Sequence, residues 1–97
     1  MPHYIGLLRF TAQGIAKVKE SPGRLDAARK AAEAMGGKLQ AWYLTMGKYD
    51  AVFVAEFPSD DVCAQFMLAV GALGNVTTQT LKAFNEDEYR QIIAALP

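Results

Sequence analysis

The sequence predicts an α+β fold in which a four-stranded antiparallel sheet carries its helices on one face. Four segments have the length and residue types of strands, and two helices with clear end signals separate them in the order β-α-β-β-α-β. A further helical segment follows the last strand. We therefore predict a ferredoxin-like βαββαβ arrangement with an extra C-terminal helix, formed as a single domain over residues 1–97.

The predicted strands are short segments rich in apolar, aromatic and β-branched residues. The first and third are the most apolar, and right-handed crossovers place these two at the centre of the sheet. Met46-Gly47-Lys48 is a Gly-containing connection that predicts a hairpin between the second and third strands, with Gly47 at positive φ. The predicted strand ranges are 3–10, 38–45, 49–57 and 75–84.

The first main helix has signals at both ends. Ser21 is predicted as its N-cap and Pro22 as its first residue, and Gly36-Gly37 follows its last turn. The preceding segment 11–20 is ambiguous and indicates at most a short helical turn.

The two later helices begin with polar caps. Ser59 is placed to cap the second helix (58–74), whose first turn carries two acids that favour the positive end of the helix dipole. Asn85 and Glu88 have the spacing of a capping box at the start of the C-terminal helix (85–96).

One antiparallel register between the first and third strands satisfies both faces of the sheet. It brings opposite charges together, matches apolar residues, and sets an aromatic ring against a glycine. A slip by one residue would lose all of these matches. The predicted pairs are Arg9–Asp50, Leu7–Val52, Ile5–Val54, His3–Glu56 and Gly6–Phe53.

The sheet face away from the helices is predicted to be apolar with polar ends. Pairing Thr45 with Tyr49 in the hairpin sets Trp42 beside Val52, and the same register sets Gln40 beside Val54 and Lys38 beside Glu56. A contiguous apolar patch of this size is rare on a monomer, so we expect a homodimer or higher multiple that covers this face with a second copy. The predicted patch is Ile5, Leu7, Trp42, Leu44, Val52 and Val54.

The polar residues around this patch are the candidate ligand-binding residues. Each also has a structural interpretation. Asp50 can pair with Arg9 or cap turn amides, Tyr49 can pack beside Phe10, and His3 can be a solvated residue near the N-terminus. The predicted cleft is flanked by His3, Arg9, Gln40, Trp42, Tyr49, Asp50 and Glu56.

Composition narrows the class of protein. Ten acids balance ten bases without a basic cluster, which argues against a nucleic-acid surface. One cysteine, Cys63, suits a reducing compartment, and one His with one Cys at this separation matches no metal site. Neither a signal peptide nor a membrane span is predicted, so the expected location is cytoplasmic. No cofactor-binding motif is present.

The sequence resembles the GYD family, named for its Gly-x-Tyr-Asp segment, here Gly47, Tyr49 and Asp50. The similarity extends from "YIGLLRFTAQG" through the "ESP" turn and "GGKL" to "GALGNVTTQTLKAF" and so covers nearly the whole chain. It implies a dimeric α+β barrel related to the effector-binding domains of leucine-responsive-type regulators and to small cofactor-independent monooxygenases and isomerases. The resemblance assigns no catalytic residue to this sequence.

Two classes of function follow. The first is a small-molecule-binding or assembly module that dimerises through its open sheet face. The second is a small cofactor-independent enzyme acting on an apolar compound, such as an aromatic or lactone-like one, in the barrel cleft. Such an enzyme would need an acid–base group there with a shifted pKa. His3, Tyr49, Asp50 and Glu56 are the candidates, and two of them have evident charge partners. This favours the binding module.

Overall fold

The computed structural model describes residues 1–97 and has the predicted order of strands and main helices. The elements are β1 (His3–Phe10), α1 (Ala12–Ala16), a 3-10 turn (Val18–Glu20), α2 (Ser21–Ala34), β2 (Lys38–Leu44), β3 (Ala51–Glu56), α3 (Asp60–Ala72), β4 (Val76–Ala83) and α4 (Glu86–Ala94). The strand order in the antiparallel sheet is β2-β3-β1-β4, which confirms that β1 and β3 are central. None of the helices has both the length and the apolar character needed to cross a membrane.

The helix caps agree with the sequence except at α2. Ser59 Oγ accepts the N–H of Val62 at 3.3 Å, and Asn85 and Glu88 form the predicted capping box. Ser21, however, is the first residue of α2 and not its N-cap. The 3-10 turn runs directly into the helix, so the N-cap position falls on Glu20, whose side chain makes no capping bond.

The core lies between one face of the sheet and the helices α2 and α3. Alternate residues of β1 and β3 are buried there, as expected when one face of a sheet is covered. The helices contribute Ala32 from α2 and Cys63 and Phe66 from α3. The sheet side of the core consists of Tyr4, Leu8, Leu39, Ala51, Phe53 and Ala55, with Phe57 just after β3.

The predicted register between β1 and β3 is confirmed. His3 pairs with Glu56 and Gly6 with Phe53, and the pairs between and beyond them follow in step as far as Leu8–Ala51. Ile5, Leu7, Val52 and Val54 therefore lie together on the face that α2 and α3 leave open.

The predicted register between β2 and β3 is correct at Lys38–Glu56 and wrong beyond it. The register shifts between Leu39 and Ala41, so an irregularity at Gln40 adds one residue to β2. Trp42 consequently pairs with Phe53 and not with Val52. At the hairpin, Thr45 N–H donates to the carbonyl of Asp50 at 2.9 Å, so the connection comprises residues 46–49.

The shift exchanges the faces of the β2 side chains. Trp42 and Leu44 lie on the helix-covered face, not in the open patch where the sequence placed them, and Ala41 and Tyr43 take their positions opposite Val54 and Val52. Gly47 has φ of 127°, which confirms the predicted positive φ in this connection.

Candidate functional site

The open face of the sheet carries an apolar surface that crosses all four strands. Its central residues are half-buried, whereas Tyr43 on β2 is 64% exposed and Leu81 on β4, opposite Ile5, is 41% exposed. We call this surface the open-face patch; it consists of Ile5, Leu7, Ala41, Tyr43, Val52, Val54 and Leu81.

His3 joins three elements at one end of this patch. Its Nε2 lies 2.8 Å from Glu56 Oε1 across the β1–β3 pair, and its Nδ1 lies 3.7 Å from Glu88 Oε1 at the start of α4. The Nδ1 atom is buried and has no hydrogen-bond partner. His3 therefore lies between Glu56 and the beginning of α4 and is not a frayed, solvated residue.

Arg9 and Tyr49 form a stacked group at the other end of the patch. The Arg9 Cζ lies 5.3 Å from the centroid of the Tyr49 ring, and Lys48 Nζ lies 5.8 Å from the same centroid. Arg9 Nε also donates to the carbonyl of Lys48 at 2.8 Å, and the Tyr49 hydroxyl donates to Gln79 Oε1 at 2.9 Å. These contacts connect the hairpin to β1 and β4 and place two cations close to one aromatic ring.

Asp50 does not form the expected ion pair with Arg9. Its Oδ2 accepts the backbone N–H of Phe10 at 2.8 Å, while its own N–H donates to the carbonyl of Leu8 at 2.8 Å. The carboxylate thus adds one more hydrogen bond to the β1–β3 ladder, just beyond the last paired residues, Leu8 and Ala51. The sequence left open an ion pair with Arg9 or the capping of turn amides; the amide that Asp50 accepts is instead that of Phe10, the last residue of β1.

The residues predicted to flank one cleft do not lie together. His3 and Glu56 are six strand positions from Arg9 and Asp50, which is about 20 Å at about 3.4 Å per residue. Trp42 lies on the opposite face, and Gln40 lies at the β2 irregularity. A single small molecule on the open face of one chain cannot contact all of them.

A polar cluster that the sequence did not reveal lies beside α3. The hydroxyl of the buried Tyr4 donates to Asp60 Oδ1, and Lys82 Nζ on β4 donates to Asp60 Oδ2 at 3.1 Å. Burial raises the pKa of the Tyr4 phenol above its ordinary value, and its hydrogen bond to Asp60 adds to the shift. The bonds from Tyr4 and then Lys82 hold the pKa of Asp60 below its ordinary value.

The nearby thiol of Cys63 is also shifted. Burial raises its pKa first, and the negative charge of Asp60 raises it further. At neutral pH the three pKa shifts favour an ionised Asp60 carboxylate, a neutral Tyr4 phenol and a neutral Cys63 thiol. These are the protonation states that such groups ordinarily have at that pH. The cluster therefore ties α3 to β1 and β4. The only sequence signal for it was the pair of acids at the start of α3.

The fold and this distribution of residues define a class: a small ferredoxin-like α+β protein with an apolar open sheet face. No group of three or more His, Cys, Asp or Glu side chains is arranged to hold a metal ion. The GYD domain model matches residues 4–93, and the chain belongs to the GYD family.

Two proteins of Thermus thermophilus are similar to this chain. One is described as a glutamine synthetase and cystathionine beta-lyase binding protein; it is 32% identical over 84 residues, which cover 86% of this chain and 88% of that protein. The other is TTHA0845, known from its crystal structure, with a TM-score of 0.56 and 21% identity over 88% of this chain and 95% of that one. The second similarity supports the ferredoxin-like fold.

Proposed function

We propose that this protein is a binding module whose functional unit is a homodimer joined through the open-face patch. The observation that carries the proposal is the apolar surface that runs across all four strands from Tyr43 to Leu81 on the face without helices. Burying such a surface against a second copy removes it from water in both chains at once, and two-fold self-packing is the commonest way to do so.

The polar ends of the patch suit the rim of such an interface. His3 Nε2 already lies against Glu56 and Arg9 already lies against the Tyr49 ring, so each of these groups keeps a partner within its own chain when a second sheet covers the apolar centre. Each group would then flank the dimer interface. A ligand pocket at the dimer interface would be lined by one polar end of the patch from each chain. One chain alone cannot bring two polar ends together, because its own lie about 20 Å apart.

We further propose that the dimer binds another protein. The T. thermophilus relative is described as a binding protein for two enzymes, and its similarity extends over most of both chains. Helix α4 offers a surface for such contact, because its residues Tyr89, Ile92 and Ile93 are exposed, as are Phe84 just before it and Leu96 just after it. Apolar helix faces of this kind are common recognition elements.

The alternative, a cofactor-independent enzyme, finds less support. An acid–base catalyst works best when its pKa lies near the working pH. The shifts at Tyr4, Asp60 and Cys63 all move the pKa away from neutrality. The binding module is therefore the function that the geometry favours.

The interface is tested with charge-introducing variants of exposed residues. Tyr43→Lys and Leu81→Lys place an ammonium group on the open-face patch without disturbing the core, and both should shift the sedimenting species to the monomer. Leu68→Lys is the matched control, because Leu68 is 75% exposed on α3, away from the open face. If all three variants sediment as the unmodified protein does, the dimer does not use this face.

A further inference from the structure

A second candidate binding site lies on the other side of the sheet, between α2, α3 and the strands. A cavity of about 370 Å³ separates the two helices from the sheet and from each other. This volume is within the range of natural small-molecule pockets, about 300–1,000 Å³. Of the 20 residues that line it, 16 are hydrophobic, among them Trp42, Phe53 and Phe66. The space between the helices and the sheet is therefore only partly filled by the core side chains.

The polar lining residues are confined to one end of the cavity. Ser21 and Arg24 belong to the start of α2, and Asn75 and Thr78 lie at or near the start of β4. Helix α1 joins these two places, since Arg24 Nη2 donates to the carbonyl of Gly14 at 3.2 Å and Thr11 N–H donates to the carbonyl of Asn75 at 3.0 Å.

The far end of the cavity is apolar. Met35 at the end of α2 is eleven residues from Arg24, which is about 16 Å along a helix axis. It lines the cavity together with Leu39 and Met67. The cavity therefore has one polar and one apolar end.

The charge at the polar end has one sign. Arg24 is the only charged residue among those that line the cavity. Its guanidinium is held in place by bonds to the carbonyls of Gly14 and Lys17, both at 3.2 Å. Those two bonds use two of its five N–H donors, so three are free for a ligand. A fixed guanidinium with free donors matches a carboxylate.

We propose that this cavity binds an amphipathic carboxylic acid of medium chain length, with the carboxylate at Arg24 and the hydrocarbon tail toward Met35 and Leu39. The site lies on the opposite face of the sheet from the open-face patch. Ligand binding is therefore independent of the proposed dimer.

The four methionines allow the site to be tested by NMR of their ¹³C-labelled methyl groups, with decanoate as the probe. Met35 and Met67 line the cavity, whereas Met1 and Met46 are exposed elsewhere. Decanoate should shift the Met35 and Met67 signals saturably and leave those of Met1 and Met46 unchanged. Decanol, which has the same tail and no charge, should bind at least tenfold more weakly.

Variants separate the head-group contact from the apolar contact. Arg24→Gln should reduce decanoate affinity to that of decanol, and Arg24→Lys should keep most of the difference. Ala28→Leu fills the cavity and should abolish binding of both probes, whereas Ala34→Leu, on the same helix and outside the cavity lining, should bind as the unmodified protein does. The methyl spectrum without probe shows whether each variant is folded.

Two results would overturn the proposal. One is equal affinity for decanoate and decanol in the unmodified protein, which would remove Arg24 as the anchor. The other is a set of shifts no larger at Met35 and Met67 than at Met1 and Met46, which would mean that no ligand enters the cavity. Repeating the titration with Leu81→Lys keeps this test separate from the dimer, because binding to the cavity should not change in that variant.

Discussion

Gly6 of β1 lies directly opposite Phe53 of β3, and the aromatic ring of Phe53 occupies the space that a side chain at position 6 would need. A Cβ atom added to Gly6 would overlap several atoms of the ring. Phe53 is 5% exposed, so the ring could move only toward the cavity that it lines, and such a move would break its contacts in the core. This pair fixes the register of the two central strands on the core face of the sheet. On the open face, the pairs Ile5–Val54 and Leu7–Val52 fix the same register.

Gly6→Ala is expected to lower the free energy of unfolding by about 1–3 kcal/mol, the usual cost of overpacking a core. The measurement is urea unfolding followed by circular dichroism. Gly23→Ala is the control, since nothing lies within 4 Å of a Cβ at that helical position. It should be neutral or stabilising by up to about 1 kcal/mol. Equal midpoints for the two variants would contradict the close contact.

Position 47 needs glycine because of its backbone conformation, and not because a side chain there would clash with a neighbour. Its φ is 127°, and nothing lies within 4 Å of a Cβ placed there. Gly47→Val should therefore destabilise the protein by about 1 kcal/mol or more through backbone strain alone. Lys48→Val, in the same connection at negative φ, is the comparison in thermal unfolding. An unchanged melting temperature for Gly47→Val would show that the hairpin does not depend on this conformation.

Arg9 and Asp50 are neighbours that interact with different partners. Asp50→Ala removes the acceptor of the Phe10 N–H and should cost about 1–2 kcal/mol. Arg9→Ala removes an exposed cation from the Tyr49 ring and should cost about 1 kcal/mol or less. A double-mutant cycle should give a coupling energy within about 0.5 kcal/mol of zero. A coupling well above that would restore the ion pair that the sequence predicts.

Asp60 should make stability depend on pH in the acid range. Its pKa in the folded protein is lowered by the hydrogen bonds from Tyr4 and Lys82, whereas in the unfolded chain it is about 3.9. A depressed folded pKa contributes stability that is present above the unfolded value and is lost as the pH falls through the folded value. Unfolding free energy should therefore decline below about pH 4.

Asp60→Asn should make that acid decline shallower and lower the stability at pH 7. Asp61→Asn is the matched control, because it removes a carboxylate from the same helical turn without breaking the bonds to Tyr4 and Lys82. The measurement is a set of urea titrations between pH 2 and pH 7. The same pH profile in Asp60→Asn and in the unmodified protein would show that Asp60 contributes nothing to acid stability.

The β1–β3 register was predictable because both faces constrain it. Gly6 needs a large ring opposite, and the two polar ends flank a row of aliphatic residues, so only one alignment meets every condition. The caps at Ser59 and Asn85 were predictable for a local reason, since each depends on residues three positions apart.

The β2–β3 register was not predicted because one extra residue at Gln40 reverses every side chain after it. The sequence holds a partial signal: Leu39 and Trp42, both on the helix-covered face, are three residues apart where a regular strand requires two or four. The Tyr4–Asp60–Lys82 cluster carried no such signal. It depends on the packing of α3 against β1 and β4, and in the sequence Asp60 is indistinguishable from an ordinary acid in a first helical turn.

The open-face patch is proposed to join two copies of this chain, and the decisive measurement is light scattering of the unmodified protein at micromolar concentration. The expected mass is at least twice the 10.6 kDa of one chain. A mass near 10.6 kDa would contradict the proposed dimer, because the open-face patch would then remain exposed to water.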